Sequence, residues 1–305
     1  MKRILTDIRN LIHSTFVKAM EDDIMTQGAA IAFYTIFSIT PIFMLIVSVS
    51  GLFLSEELIT GQLSEQLTNY LGEEIASSLS QFIFSNSLSG SNLWTSIFAT
   101  GIVIFGATTV INQLKLTLNR IWNIRAIRIH TFWRLLLNRL LSFGMIILFS
   151  LLLLVSLMAE GVIGFTSTFF HELLPTVPFD FYRILSRVTT AGFAVLFFTL
   201  IFKILPDVHA RWKDVLVGAV VTTLLFLLGK YLIGLYLSAT GLQSAYRAAG
   251  ALVIFVIWVY YNIQTILFGA VFTQVYTEMF GGRILPYKFV ELGEITGLNR
   301  LTHKR

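Results

Sequence analysis

The chain has 305 residues, of which 55% are hydrophobic and 13% charged, and its mean hydropathy is +0.77. That charge content is about half the globular norm of roughly 25%, and a soluble chain this apolar has too little polar surface to cover its core. The absence of cysteine removes disulfides, Cys-ligated zinc, iron–sulfur clusters and thiol catalysis, and the net charge of +5 says nothing about nucleic acid until its placement is known.

Residues 1–28 carry Lys2, Arg3, Arg9 and Lys18, broken up by Asp7, Glu21, Asp22 and Asp23. No short apolar core with an Ala-x-Ala site follows, so this is expected to be a retained cytoplasmic segment rather than a signal peptide. A helix needs about 20 residues to cross a hydrocarbon core of roughly 30 Å. Six charge-poor runs meet that length, at about 29–54, 94–114, 140–159, 184–205, 215–238 and 248–277. The expected fold is all-α and polytopic, with six transmembrane helices and a cytoplasmic tail from 278 to 305.

The first outer loop, 55–93, carries Glu56, Glu57, Glu65, Glu73 and Glu74 and no basic residue. Its Leu63, Leu67, Tyr70, Leu71, Ile75, Leu79 and Phe82 recur at three- and four-residue spacing, so it reads as amphipathic helix. Such a helix caps the bundle or docks a partner. The second loop is the reverse, with Lys115, Arg120, Arg125, Arg128, Arg134 and Arg139 among Leu116, Ile121, Trp122 and Phe132 and no acid. Beside two spans, that pattern describes a segment on an anionic leaflet better than a nucleic-acid site. Of the 22 Lys and Arg, 18 fall on the termini and the even-numbered loops. Positive residues mark the cytoplasmic side, which puts both termini there.

Within the spans, Pro41 frees the Phe37 carbonyl and is expected to kink the first helix. Gln27, Tyr34, Ser38 and Ser48 lie on its face, either satisfying the broken backbone or lining a pathway. The sixth span repeats the pattern with Trp258, Asn262, Thr265, Gly269, Thr273 and Tyr276 on one face. Lys230 lies inside the fifth span, where an ionisable group is costly; it either snorkels outward or pairs with Glu160 at the outer end of the third. The substrate-pathway candidates are therefore Tyr34, Ser38, Pro41, Lys230, Asn262, Thr265 and Gly269. His13, His130, His171, His209 and His303 form no metal cluster, no phosphate loop exists, and no Ser-nucleophile motif is present. No enzyme activity, catalytic residue, metal or cofactor is expected.

Three stretches resemble the YihY/BrkB family of bacterial inner-membrane proteins, once mislabelled ribonuclease BN. They are Asp23 to Tyr34 continuing to Ser38-Ile39-Thr40-Pro41; Pro206-Asp207 with Trp212-Lys213-Asp214, Gly218 and Gly229-Lys230; and Ser244-Ala245-Tyr246 through Trp258-Val259-Tyr260-Tyr261 to Phe268-Gly269-Ala270. The chain departs from the family pattern at Arg247, where the family usually has Gly after Tyr, and at Val271, where it commonly has an acid. The resemblance implies a multi-pass inner-membrane protein acting in transport, or assisting it, on a lipid or other amphiphile or a small ion. The alternative is a non-transporting scaffold docking envelope proteins through the acidic outer loop. Membrane lipids are the partners common to both, and no nucleic acid is expected.

Overall fold

Asp23 stops one helix and starts the next. Its φ of 49° is a left-handed conformation that Asp tolerates better than most residues. Its carboxylate accepts the Thr26 hydroxyl at 3.0 Å, and its carbonyl accepts the Gln27 N–H at 3.1 Å, opening the following helix. The computed structural model describes residues 2–50, 93–126, 132–173, 179–240, 242–281, 285–286 and 290–292. Within them lie α1 (Lys2–Glu21), α2 (Ile24–Ser50), α3 (Leu93–Ile121), β1 (Ile124–Ala126) and α4 (Phe132–Leu173). There follow α5 (Phe179–Ile204), β2 (Val208–His209), α6 (Trp212–Thr240), α7 (Leu242–Phe280), β3 (Leu285–Pro286) and β4 (Val290–Leu292).

Each of the six stretches expected to span lies largely on a helix among the described residues. By length and apolarity, four helical windows among the described residues are able to cross a membrane: Arg139–Ser156, Ile184–Ile204, Trp212–Ile233 and Phe255–Phe280. Ile24–Ser38 in α2 is a shorter apolar helix. The helices outrun the expected bounds. α4 has 42 residues and α7 has 39, about 63 and 58 Å against a hydrocarbon core of ~30 Å. α2 continues as one α-helix through Pro41 to Ser50. The amphipathic helices expected in 55–93 fall outside the described residues, apart from the start of α3 at Leu93, and so do the side chains of Pro41 and Glu160.

Neighbouring helices close a ring, in which α2 packs on α3, α3 on α4, α4 on α5, α5 on α6, α6 on α7 and α7 back on α2. α2 also touches α4, and α1 lies against α7. The largest fully buried side chains, among them Trp122, Phe202, Leu118, Ile121, Val215 and Val271, gather toward one end. That end carries two antiparallel strand pairs. β1 joins β4 with Ile124 opposite Leu292, and β2 joins β3 with Val208 opposite Pro286. The residues after α7 thus clasp both the α3–α4 and the α5–α6 connections. Sequence periodicity read the first of these connections as a surface segment and anticipated no strand.

Candidate functional site

A close helix pairing runs along α6 and α7. Thr222 sits over Gly269 and Thr273 sits over Gly218, so that a methyl group on either glycine would overlap the opposing hydroxyl. Each threonine donates to a carbonyl of its own helix, Thr222 to Gly218 at 2.7 Å and Thr273 to Gly269 at 2.6 Å. Farther along, the Tyr261 ring covers Gly229, and its hydroxyl donates to the Leu225 carbonyl at 2.8 Å. Small residues facing one another let helix backbones approach closely where lipid offers no hydrophobic drive. A comparable contact binds α7 to α2: the Gln264 amide donates to the Ile24 and Met25 carbonyls at 3.3 and 3.2 Å and fills the space over Gly28.

At the strand-bearing end, Asp207 fastens the α5–α6 connection to α3. Its carboxylate accepts from the Asn119 amide at 2.9 Å and pairs with the Lys115 ammonium at 2.9 Å. The backbone N–H of Asp207 donates in turn to the Asn119 side-chain Oδ1 at 2.8 Å. Lys203 donates to the Ala210 carbonyl and lies 5.2 Å from the centre of the Trp212 ring. Arg139, near the start of α4, is held on α3: its Nη1 donates to Thr108 Oγ1 at 2.8 Å and to the Phe105 carbonyl at 3.2 Å, with the Phe105 ring 4.2 Å below.

Polar groups also collect where α1, α2 and α7 meet. Lys18 pairs with Asp22 at 3.3 Å, one turn along. Burial pushes the Asp22 carboxyl above its ordinary range, outweighing the Lys18 ammonium that pulls it down. On α7, the Gln274 amide donates to Glu278. Most buried hydroxyls here are satisfied within their own helix, as Thr15, Thr199, Thr223 and Thr277 are. Among the described residues, Thr117 Oγ1, Trp122 Nε1, Asp214 Oδ2 and Gln274 Oε1 are buried without a hydrogen-bond partner, and Asp22 Oδ2 has only its ion pair. All five belong to the strand-bearing ends of their helices or to the residues just beyond. A Cβ on Gly281 would come within 2.6 Å of Asp214 Oδ2, so that carboxylate is walled in by the end of α7.

The residues picked out from sequence are distributed differently. Ser38 and Thr265 are buried, Gly269 lies beneath Thr222, and Asn262 is half-buried with its amide donating to the Trp258 carbonyl at 2.6 Å. Tyr34 and Lys230 are exposed on the outside of the protein. Val271 is fully buried in the apolar core. Sequence reasoning missed Gln274, Asp214, Thr117 and Asn119. Signals existed for two of them: Asp214 stands in the Trp212-Lys213-Asp214 motif, and Gln274 is a polar residue near the end of a charge-free run.

The family model described as Virulence factor BrkB matches residues 15–288. The UPF0761 membrane protein MS0032 of Mannheimia succiniciproducens is 25% identical, over 92% of this chain and 94% of its own length. UPF0761 membrane proteins of Saccharophagus degradans and Alcanivorax borkumensis are 24% and 27% identical over 85% and 82% of this chain. The chain spans only 58% and 56% of those two relatives. No solved structure matches it. A match running from the middle of α1 to beyond β3 takes in every helix of the ring, and the chain belongs to the BrkB family of membrane proteins.

Proposed function

We propose that the protein is a multi-pass bacterial inner-membrane protein, crossing six times with both termini in the cytoplasm, that transports or assists transport of a lipid, another amphiphile or a small ion. One observation carries this reading: the buried polar atoms of Thr117, Trp122, Asp214 and Gln274 that lack a hydrogen-bond partner at the strand-bearing end. A buried donor or acceptor left unsatisfied costs about 1–3 kcal/mol. A bundle whose only task is to be a packed scaffold gains nothing from four of them. Groups of this kind are satisfied by water or by a solute in passage, and they serve as the polar lining at one mouth of a pathway. Buried Ser38 and Thr265 continue that lining deeper on α2 and α7.

Val271, buried in the apolar core, weakens any ion-exchange scheme built on a carboxylate after Gly-Ala. Passive or assisted movement is the mode favoured here. The test uses the full chain reconstituted in vesicles, measuring translocation of fluorescent phospholipid and flux of monovalent ions against empty vesicles. Movement of either, reduced by Gln274→Leu and by Asn262→Leu at unchanged protein incorporation, supports the reading. Rates equal to those of empty vesicles for both classes sink it.

A further inference from the structure

α1 has three distinct faces, and one of them stays largely exposed among the described residues. Leu11, Thr15, Lys18 and Ala19 are buried against the bundle. Arg9, Asn10, His13 and Glu21 are exposed and polar. Between these faces, Ile8, Ile12, Phe16 and Met20 recur every four residues and are all exposed, at 48%, 50%, 53% and 77%. A four-residue step keeps side chains on one side of a helix. The stripe does not stop at the Asp22–Asp23 turn. On α2, Met25, Ala29, Phe33 and Phe37 repeat the same step and are also exposed, Met25 and Phe37 at 70% each. α2 is an apolar helix of the ring, so its outward stripe faces acyl chains. The α1 stripe continues it from the other side of a two-residue turn.

We propose that α1 is a membrane-surface helix seated in the leaflet at the strand-bearing end, with Ile8, Ile12, Phe16 and Met20 among the acyl chains and Arg9, Asn10 and His13 toward water. The lipid bilayer is the occupant that fits. A helix with a sharply divided apolar and polar surface lies in the interface plane with its apolar side buried by several ångströms. Its depth is fixed by protein as well as lipid, because the Phe16 ring packs on Phe268 of α7 with centroids 5.2 Å apart. Phe268 belongs to the window able to cross a membrane, so this contact holds the stripe at acyl-chain level. The inference stands whether or not the protein transports anything.

The chain has no cysteine, so a single introduced thiol is a unique label. Ile12→Cys, Met20→Cys and His13→Cys, each carrying an environment-sensitive fluorophore, are to be compared in the full chain reconstituted in phosphatidylethanolamine–phosphatidylglycerol vesicles. Labels at 12 and 20 are expected to emit to the blue of the label at 13. They should be quenched several-fold more strongly by nitroxide on the acyl chains than by aqueous iodide, with the reverse at 13. Equal iodide quenching at 12, 20 and 13 would overturn the proposal, as would shielding of 12 and 20 from both quenchers, the mark of a protein surface covering the stripe. Should Ile12→Cys fail to incorporate, Ile8→Cys carries the same test on the same stripe.

Discussion

Thr222 stands directly over Gly269, and its hydroxyl is already committed to the Gly218 carbonyl of its own helix, so it has nowhere to withdraw. Thr273 and Gly218 repeat the arrangement one step along the α6–α7 seam with the helices exchanged. Gly269→Ala is therefore an overpacking substitution, expected to cost about 1–3 kcal/mol. It should appear as a lower thermal midpoint in detergent. Thr222→Ala combined with Gly269→Ala should recover most of the loss, since it removes the opposing hydroxyl. A double variant no better than Gly269→Ala alone would show that the seam is not what Gly269 serves.

Removing the Asp207 side chain leaves two cationic or polar partners, Lys115 and Asn119, without the acceptor they share. Asp207→Ala is expected to destabilise by about 1–3 kcal/mol, toward the lower figure because the carboxylate is partly exposed. Asp207→Asn keeps an acceptor for Asn119 and the backbone bond, so it should be milder. Thermal midpoints in that order, with limited proteolysis of the α5–α6 connection rising in parallel, are the outcome to look for.

Asp22 titrates above its ordinary range in the folded protein because burial opposes its charge. A carboxyl whose folded pKa is raised adds stability at low pH, where it is protonated in both states, and that contribution is lost as pH rises through the folded value. Wild-type stability should therefore decline, relative to Asp22→Asn, as pH climbs from the usual carboxylate range through the raised one. The wild-type midpoint minus that of Asp22→Asn, followed from about pH 4 to neutrality, should fall steadily to the disadvantage of wild type. A constant difference would leave Asp22 without the proposed burden.

Orientation is testable independently of function. A phosphatase reporter fused after Glu65 should be active outside the inner membrane, and a fluorescent reporter at the C-terminus should mature in the cytoplasm, following the 18 of 22 basic residues. Either result reversed would invert the protein.

The helices were legible in the sequence because lipid imposes a coarse rule: twenty apolar residues in a row have few alternatives. The motifs carrying the family resemblance turn out to be places of close approach. Gly28 makes room for Gln264, Gly218 and Gly269 for threonines, and Gly229 for Tyr261. Pro206-Asp207 precedes the clamp on Asn119. What a sequence does not show is the partner of such a residue, which lies on another helix. For the same reason the sequence left open whether Lys230 snorkels outward or meets a partner, since depth along a helix says nothing of which side faces the bundle; its side chain is exposed. The strands β2 and β3 have two residues each, too short for any alternation to register. The α1 stripe was within reach of the four-residue step, but charges on either side of it made residues 1–28 look like an ordinary polar extension.

The two strand pairs also set an order of assembly. β1 lies at Ile124–Ala126, and its partner β4 at Val290–Leu292 is synthesised well over a hundred residues later. At synthesis rates of ~5–20 residues per second, β1 waits on the order of ten seconds or more for that partner. Until then the α3–α4 connection has an open backbone edge, and the α5–α6 connection, held by Asp207, still lacks β3. A ribosome that terminates early therefore releases a chain whose helices can all have inserted but whose strand-bearing end is unclosed. Proteases on that side of the membrane have in those two open connections a means of telling a finished molecule from a truncated one.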